Sequence, residues 1–155
     1  MYLFKISFII LLSLLLSSGK YSKISESAIY LANRDSMTLK PTTQVISYSD
    51  KNDLCGKILD RLMLYQKNPD RAELLPTGIK ITVLKDCAFV DFPEIPDLGK
   101  SRSLELLTIY SLVNSLTSSG EIVTVRFTAK GEIIKDFNGT VDMTESFVPD
   151  YDICS

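Results

Sequence analysis

Histidine is missing from all 155 residues. Its absence removes the side chain most often used for acid–base work near neutrality. It also excludes Ser-His-Asp and Cys-His nucleophile activation and takes away the commonest transition-metal ligand. A clustered basic surplus is missing too: 17 basic side chains stand against 19 acidic ones, for a net charge of -2. That balance argues against nucleic acid as a partner, because phosphate binding needs concentrated positive charge. Cysteine is scarce. Cys55, Cys87 and Cys154 form an odd set with no C-x-x-C pair, so no zinc site is expected. What remains is ordinary for a globular chain: 45% hydrophobic and 23% charged residues are too apolar a mixture for disorder. The length suits one domain. Composition therefore points away from a typical hydrolase and towards a binding or assembly module.

Residues 1–19 differ from the rest. Lys5 is followed by the apolar run Ile6 to Leu16 and then by Ser17-Ser18-Gly19. The run is short for a bilayer span, which takes roughly 20 apolar residues. A positive start, an apolar centre and small residues near Gly19 match a secretory signal peptide. The alternative is an uncleaved anchor from Tyr2 to Gly19 with Lys5 snorkelling, and membrane contact is expected only through this segment. No cysteine follows the run, so lipid modification there is not expected. Export is the expectation on either reading, and it permits one disulfide with one thiol left over. The alternative for Cys55 is a small hydrophobe on an apolar helix face.

Beyond the leader, Ser27 to Ala32 and Gln44 to Tyr48 read as strands, separated by turn-rich Asn33-Arg34-Asp35-Ser36 and Lys40-Pro41. Asp50 caps a helix on which Leu54, Ile58, Leu62 and Tyr65 recur at helical spacing, flanked by Cys55 and Leu59, until Asn68-Pro69. Lys57, Asp60 and Arg61 take its wetter side. The period then changes to two: Ile79, Ile81 and Val83 alternate with Lys80 and Thr82, Lys85-Asp86-Cys87 turns, and Ala88 to Phe92 returns. Ser101 or Ser103 opens a long helix to about Ser118, stopped by Gly120. On it Leu106, Ile109, Tyr110, Leu112, Val113 and Leu116 form an apolar arc, opposite Ser103, Ser111, Asn114 and Ser115. Three strands follow: Ile122 to Thr128 with Val123, Val125 and Phe127 on one side, Glu132 to Ile134 after Lys130-Gly131, and Thr140 to Met143 after Asn138-Gly139. This order predicts an α+β fold, a single mostly antiparallel sheet with two helices packed on one face.

Leu74-Leu75-Pro76-Thr77-Gly78-Ile79-Lys80, the hairpin Val83 to Phe92 and the helix Ser103 to Thr117 resemble the first part of a GerM domain. This is the sporulation and spore germination domain. Val123 to Phe127 and Gly139 to Phe147 are similar to its closing strands and tail. The resemblance covers residues 27–152. It implies a GerM-like, ring-building-motif fold and an extracytoplasmic module of the bacterial cell envelope without known catalysis. One spore-forming member of the family is associated with the apparatus linking mother cell and forespore. Two departures stand out: there is no lipid-accepting cysteine, and Cys87 stands where the hairpin turn commonly has glycine, a strained choice for a positive-φ position.

Candidate chemistry is sparse. Asp91 and Glu94 flank Phe92-Pro93 as a possible acid–base pair, against their reading as strand-end solvation. Asp142, Glu145, Asp150 and Asp152 form an acidic tail without the glycine and oxygen spacing of a calcium loop. Ser118-Ser119 lacks a nucleophile elbow. Asn138-Gly139-Thr140 is formally a sequon but reads as a turn. Glu105 suits the start of a helix by charge alone. No catalytic, cofactor-binding or metal residue is therefore assigned, and no cofactor is expected. The expected function is binding of an envelope protein or self-assembly through strand edges, Ala28 to Ala32 and Thr124 to Ile134 being the candidates. Alternatives are a small exported enzyme using carboxylates or Cys55, and a cell-wall or ligand-binding module, which should show an aromatic cluster.

Overall fold

The computed structural model describes residues 22–33, 35–67, 74–99, 101–137 and 140–154. The leader at 1–19, Arg34, Asn68-Pro69 and Asn138-Gly139 lie outside the described residues.

The chain opens with β1 (Lys23–Asn33) and β2 (Thr38–Tyr48), an antiparallel ribbon in which Lys23 faces Tyr48 and Asn33 faces Thr38. Both strands run past their expected limits. Asn33 tightens the connection by accepting the Asp35 and Ser36 amides on its side-chain oxygen. Pro41, expected in the turn, instead lies within β2 opposite Tyr30. Proline is tolerated in a strand where its missing N–H falls on an unpaired edge.

Helix α1 (Lys51–Gln66) starts where Asp50 accepts the Asp53 amide, while Asp53 accepts the Ser49 amide. Leu54, Cys55, Ile58, Leu59 and Leu62 are buried, as their spacing predicts, and Lys57, Asp60 and Arg61 are exposed. After the helix, Gln66 accepts the amides of Leu74 and Leu75 at 2.6 and 2.7 Å. The hairpin of β3 (Lys80–Leu84) and β4 (Cys87–Phe92) follows. Its left-handed residue is Lys85, with φ 60°, so the strain expected at Cys87 does not arise there.

Helix α2 (Arg102–Thr117) is capped by Ser101. Eleven of its sixteen residues are buried, among them Ser111, Asn114 and Ser115, so of the four residues expected on a wet face only Ser103 is exposed. A helix covered nearly all round is a central element rather than a surface one. It carries the chain from β4 to β5 (Thr124–Ala129), which pair in parallel, the geometry that requires a crossover. Val123 precedes β5 and is exposed, whereas Val125 and Phe127 are buried. Lys130 (φ 54°) and Gly131 (φ 82°) form the two-residue turn to β6 (Glu132–Ile133), both with the positive φ that such a turn demands.

The expected single sheet is two. The ribbon β1–β2 stands apart from a four-stranded sheet of order β3-β4-β5-β6, and each helix packs on strands of both. The cause lies on β1, whose outer edge is occupied by helix side chains. The Ala28 amide donates to Ser118 Oγ, the Tyr30 amide donates to Ser115 Oγ, and Ser111 Oγ donates to the Tyr30 carbonyl. A strand whose outward groups are taken by hydroxyls cannot extend a sheet.

No strand forms at Thr140 to Met143. That segment instead sends Val141 and Met143 into the core, and Phe147 then bridges Val125 by paired backbone bonds of 2.9 and 2.7 Å. The core holds Ile29, Leu54, Ile58, Leu112 and a group of Phe92, Phe127 and Phe137 with ring centroids 5.5 to 6.3 Å apart. Each such buried side chain contributes roughly 2 kcal/mol. A smaller cluster of Leu39, Leu74 and Leu107 closes the far end of the ribbon.

Candidate interaction site

Three of the acidic candidates, Asp91, Asp142 and Asp150, are occupied as structural anchors. Asp91 Oδ1 accepts the Thr128 hydroxyl at 2.7 Å and the Gly131 amide at 2.8 Å, joining β4 to the turn after β5. The Gly131 amide first, then the Thr128 hydroxyl, holds its carboxyl below the usual aspartate range. Glu94 is exposed beyond the strand end. Asp142 accepts the amide and hydroxyl of Thr144, which lowers its pKa in the same way. Asp150 accepts the Asp152 amide on its side chain, and its backbone is clasped by Asn114. Among the described residues no three His, Cys, Asp or Glu side chains come together in a way that could hold a metal ion.

Glu105 is buried rather than solvated. One carboxylate oxygen accepts the Thr140 hydroxyl, and the other has no partner among the described residues. Cys55 is a free, buried thiol whose pKa is pushed up to about 12 by burial. A thiol that resists ionisation is a poor nucleophile. Cys87 is free and half-buried at the start of β4. These placements match Cys55 as a small hydrophobe and leave no Cys55–Cys87 disulfide. The aromatic rings stack inside the fold or across it, as Tyr30 on Tyr151 at 5.7 Å.

Strand edges are the remaining surface, and they match those expected only in part. Ala28 to Ala32 is closed by the serines of α2; within Thr124 to Ile134, β5 is interior, paired with β4 and β6 and bridged by Phe147, while the two-residue β6 is the outer strand of its sheet. The outer edge of β3 is partly used: the Val83 amide donates to Asn52 Oδ1, and Lys51 Nζ donates to the Lys85 carbonyl. Among the described residues the edge of β2 is open at Thr43 and Val45. In an antiparallel pair, residues directly opposite share one bonding class. Ala28 and Tyr30 bond away from β2, so Thr43 and Pro41, their partners in register, point their backbone groups away from β1. Val45 and Ser47 continue the alternation, and the Ser47 carbonyl accepts Lys57 Nζ at 2.7 Å.

Beside this edge runs α1. Between them lies a groove of about 590 Å³ lined by Val45, Ile46, Ser47, Lys57, Arg61 and Leu64. Val45 is 72% and Leu64 61% exposed, large values for residues that the ordinary hydrophobic effect would bury. Sequence reasoning missed this edge. Pro41 was the available signal, because proline inside a strand pattern marks an edge.

A family model described as Germane, sporulation and spore germination, matches residues 28–135. Among solved structures, a candidate lipoprotein from Clostridium perfringens superposes with a TM-score of 0.55 at 16% identity, over 82% of this chain and 87% of that one. The tandem GerMN domains of the sporulation protein GerM from Bacillus subtilis superpose with a TM-score of 0.51 at 17% identity. That superposition covers 81% of this chain and 46% of the other, so the chain spans just under half of that tandem structure. Both likenesses are of fold. No curated protein matches the sequence.

Proposed function

The chain belongs to the Germane family of sporulation and spore germination domains, and from that premise we propose that it is a non-catalytic interaction module of the bacterial cell envelope. Residues 27–152 form the working domain, carried outside the cytoplasmic membrane by the leader at 1–19, whether cleaved or kept as an anchor. Among the described residues no helix is long and apolar enough to cross a membrane. The partner is another envelope protein or a further copy of the chain, and nucleic acid is not among its ligands.

The observation that carries this reading is the open stretch of the β2 edge at Thr43 and Val45, whose outward backbone groups find no partner among the described residues. The side chains that would serve an enzyme are committed elsewhere: Asp91 to Thr128 and Gly131, and Cys55 to the core. Photocrosslinking in the native host tests the reading, with probes at exposed Lys40, Lys130 and Lys135. Protein adducts from at least one position are expected. Absence of adducts from every position, together with a hydrolytic activity lost in Asp91→Ala, would overturn it in favour of a small exported enzyme.

A further inference from the structure

The open stretch of β2 has defined ends. At one end Pro41 offers no N–H, and beyond it Leu39 is covered by Leu107 and Ile153. At the other, the Ser47 carbonyl is held by Lys57. Between them the outward backbone groups of Thr43 and Val45 have no partner among the described residues, while their neighbours Gln44 and Ile46 face β1 in the ladder. Unsatisfied outward groups next to a groove are the requirement for strand addition, in which main-chain bonds supply affinity and alternate side chains supply specificity.

The helix side of the groove states which side chains would fit. Lys57, Arg61 and Lys67 line it with one acid, Asp60. Lys57 is engaged by Asp53 at 3.0 Å, but neither Arg61 nor Lys67 forms an ion pair among the described residues. Val45 and Leu64 add apolar surface at the rim. A second copy presenting the same edge would set these cations against their own kind. We therefore propose that the β2 edge takes an extended, acidic segment of a partner protein as an added strand along Thr43–Ser47, its carboxylates lying over Arg61 and Lys67 and its apolar side chains against Val45 and Leu64. This assignment rests on the reading of the chain as an interaction module and says which surface performs it.

The test uses the purified full chain and a short synthetic peptide alternating glutamate with valine, beside the same peptide carrying lysine for glutamate. Adding the glutamate peptide is expected to slow amide exchange at Thr43 and Val45 by about tenfold or more, and the lysine peptide to leave it unchanged. Val45→Pro removes an outward donor together with the valine's methyls, so it should weaken binding by about tenfold without lowering the melting temperature, while Val45→Thr, which keeps the N–H and one methyl, loses much less. Arg61→Glu combined with Lys67→Glu should abolish binding. Exchange on the unaltered protein decides the matter even if Val45→Pro fails to fold. Equal binding of the two peptides would overturn the inference. So would protection appearing away from β2, or a concentration-dependent dimer that Val45→Pro dissolves. Envelope adducts from Lys130 without any effect of Val45→Pro would also overturn the edge while leaving the interaction module intact; loss of adducts from every probe position would instead remove the module.

Discussion

Asn114 shows how one residue can invert its expected role. Read on a helical wheel it belongs to a wet arc; in the fold it is fully buried, donating to the Asp150 carbonyl at 2.7 Å and accepting the Asp150 amide at 3.0 Å. Asn114→Asp exchanges the amide donor for a carboxylate facing a carbonyl, and is expected to cost about 2 kcal/mol or more in a urea titration. Ser103→Asp on the exposed side should change stability by less than about 0.5 kcal/mol, which makes the pair of variants a direct reading of the helix face. Cys55 behaves oppositely, since its buried position was legible from apolar neighbours at helical spacing. With its pKa near 12, it should stay unlabelled by iodoacetamide at pH 8 in the native protein, while half-buried Cys87 reacts; mass spectrometry before and after unfolding in guanidinium distinguishes the two. Rapid native labelling of Cys55 would mean that α1 opens far more readily than its packing implies.

At the scale of elements, hydroxyl side chains take over a task usually given to a neighbouring strand. Ser111 and Ser115 on α2 and Ser118 at its C-cap continue one helical spacing and meet alternate backbone groups of β1. Ser115→Ala leaves the Tyr30 amide without its acceptor and is expected to destabilise by about 1–3 kcal/mol, with faster exchange at that amide in particular. A polar stripe on a helix normally signals solvent, which is why this seam could not be read from periodicity. The junction of β4, β5 and β6 depends on pH through Asp91. Its folded pKa is lowered below the ordinary value of 3.8, so the group stabilises the fold above that value and the contribution is lost as pH falls through the folded pKa. Asp91→Asn should therefore flatten the acid limb of a stability-against-pH curve below about pH 4, with little change in slope near neutrality. An identical acid limb in the two proteins would show that the carboxylate is not what couples that turn to pH.

For the whole molecule, local signals were legible and partnerships were not. Asp50 and Ser101 mark both helix starts as their side chains suggest, Lys130-Gly131 turns where expected, and the strands β3, β4 and β5 sit near their predicted positions. What periodicity cannot convey is which faces meet. The two-sheet division follows from the contact of β1 with α2, a pairing between residues 85 and 90 positions apart. The candidate groove escaped for the same reason, being built from β2 and α1 together, although Pro41 carried a trace of it. Thr140 to Met143 read as a strand because Val141 and Met143 alternate, yet their burial comes from a loop crossing the core.

The closing stretch of chain has a consequence for biosynthesis. Phe147 pairs with Val125, the Asp150 backbone is clasped by Asn114, and Tyr151 stacks on Tyr30. A nascent polypeptide emerges from the ribosome N-terminus first and its early segments wait for the later ones. Here the waiting lasts until residues beyond 140 have emerged, because β1, α2 and β5 all complete their surroundings only with them. Vectorial synthesis thus holds an unfinished domain until that last-made seam is in place.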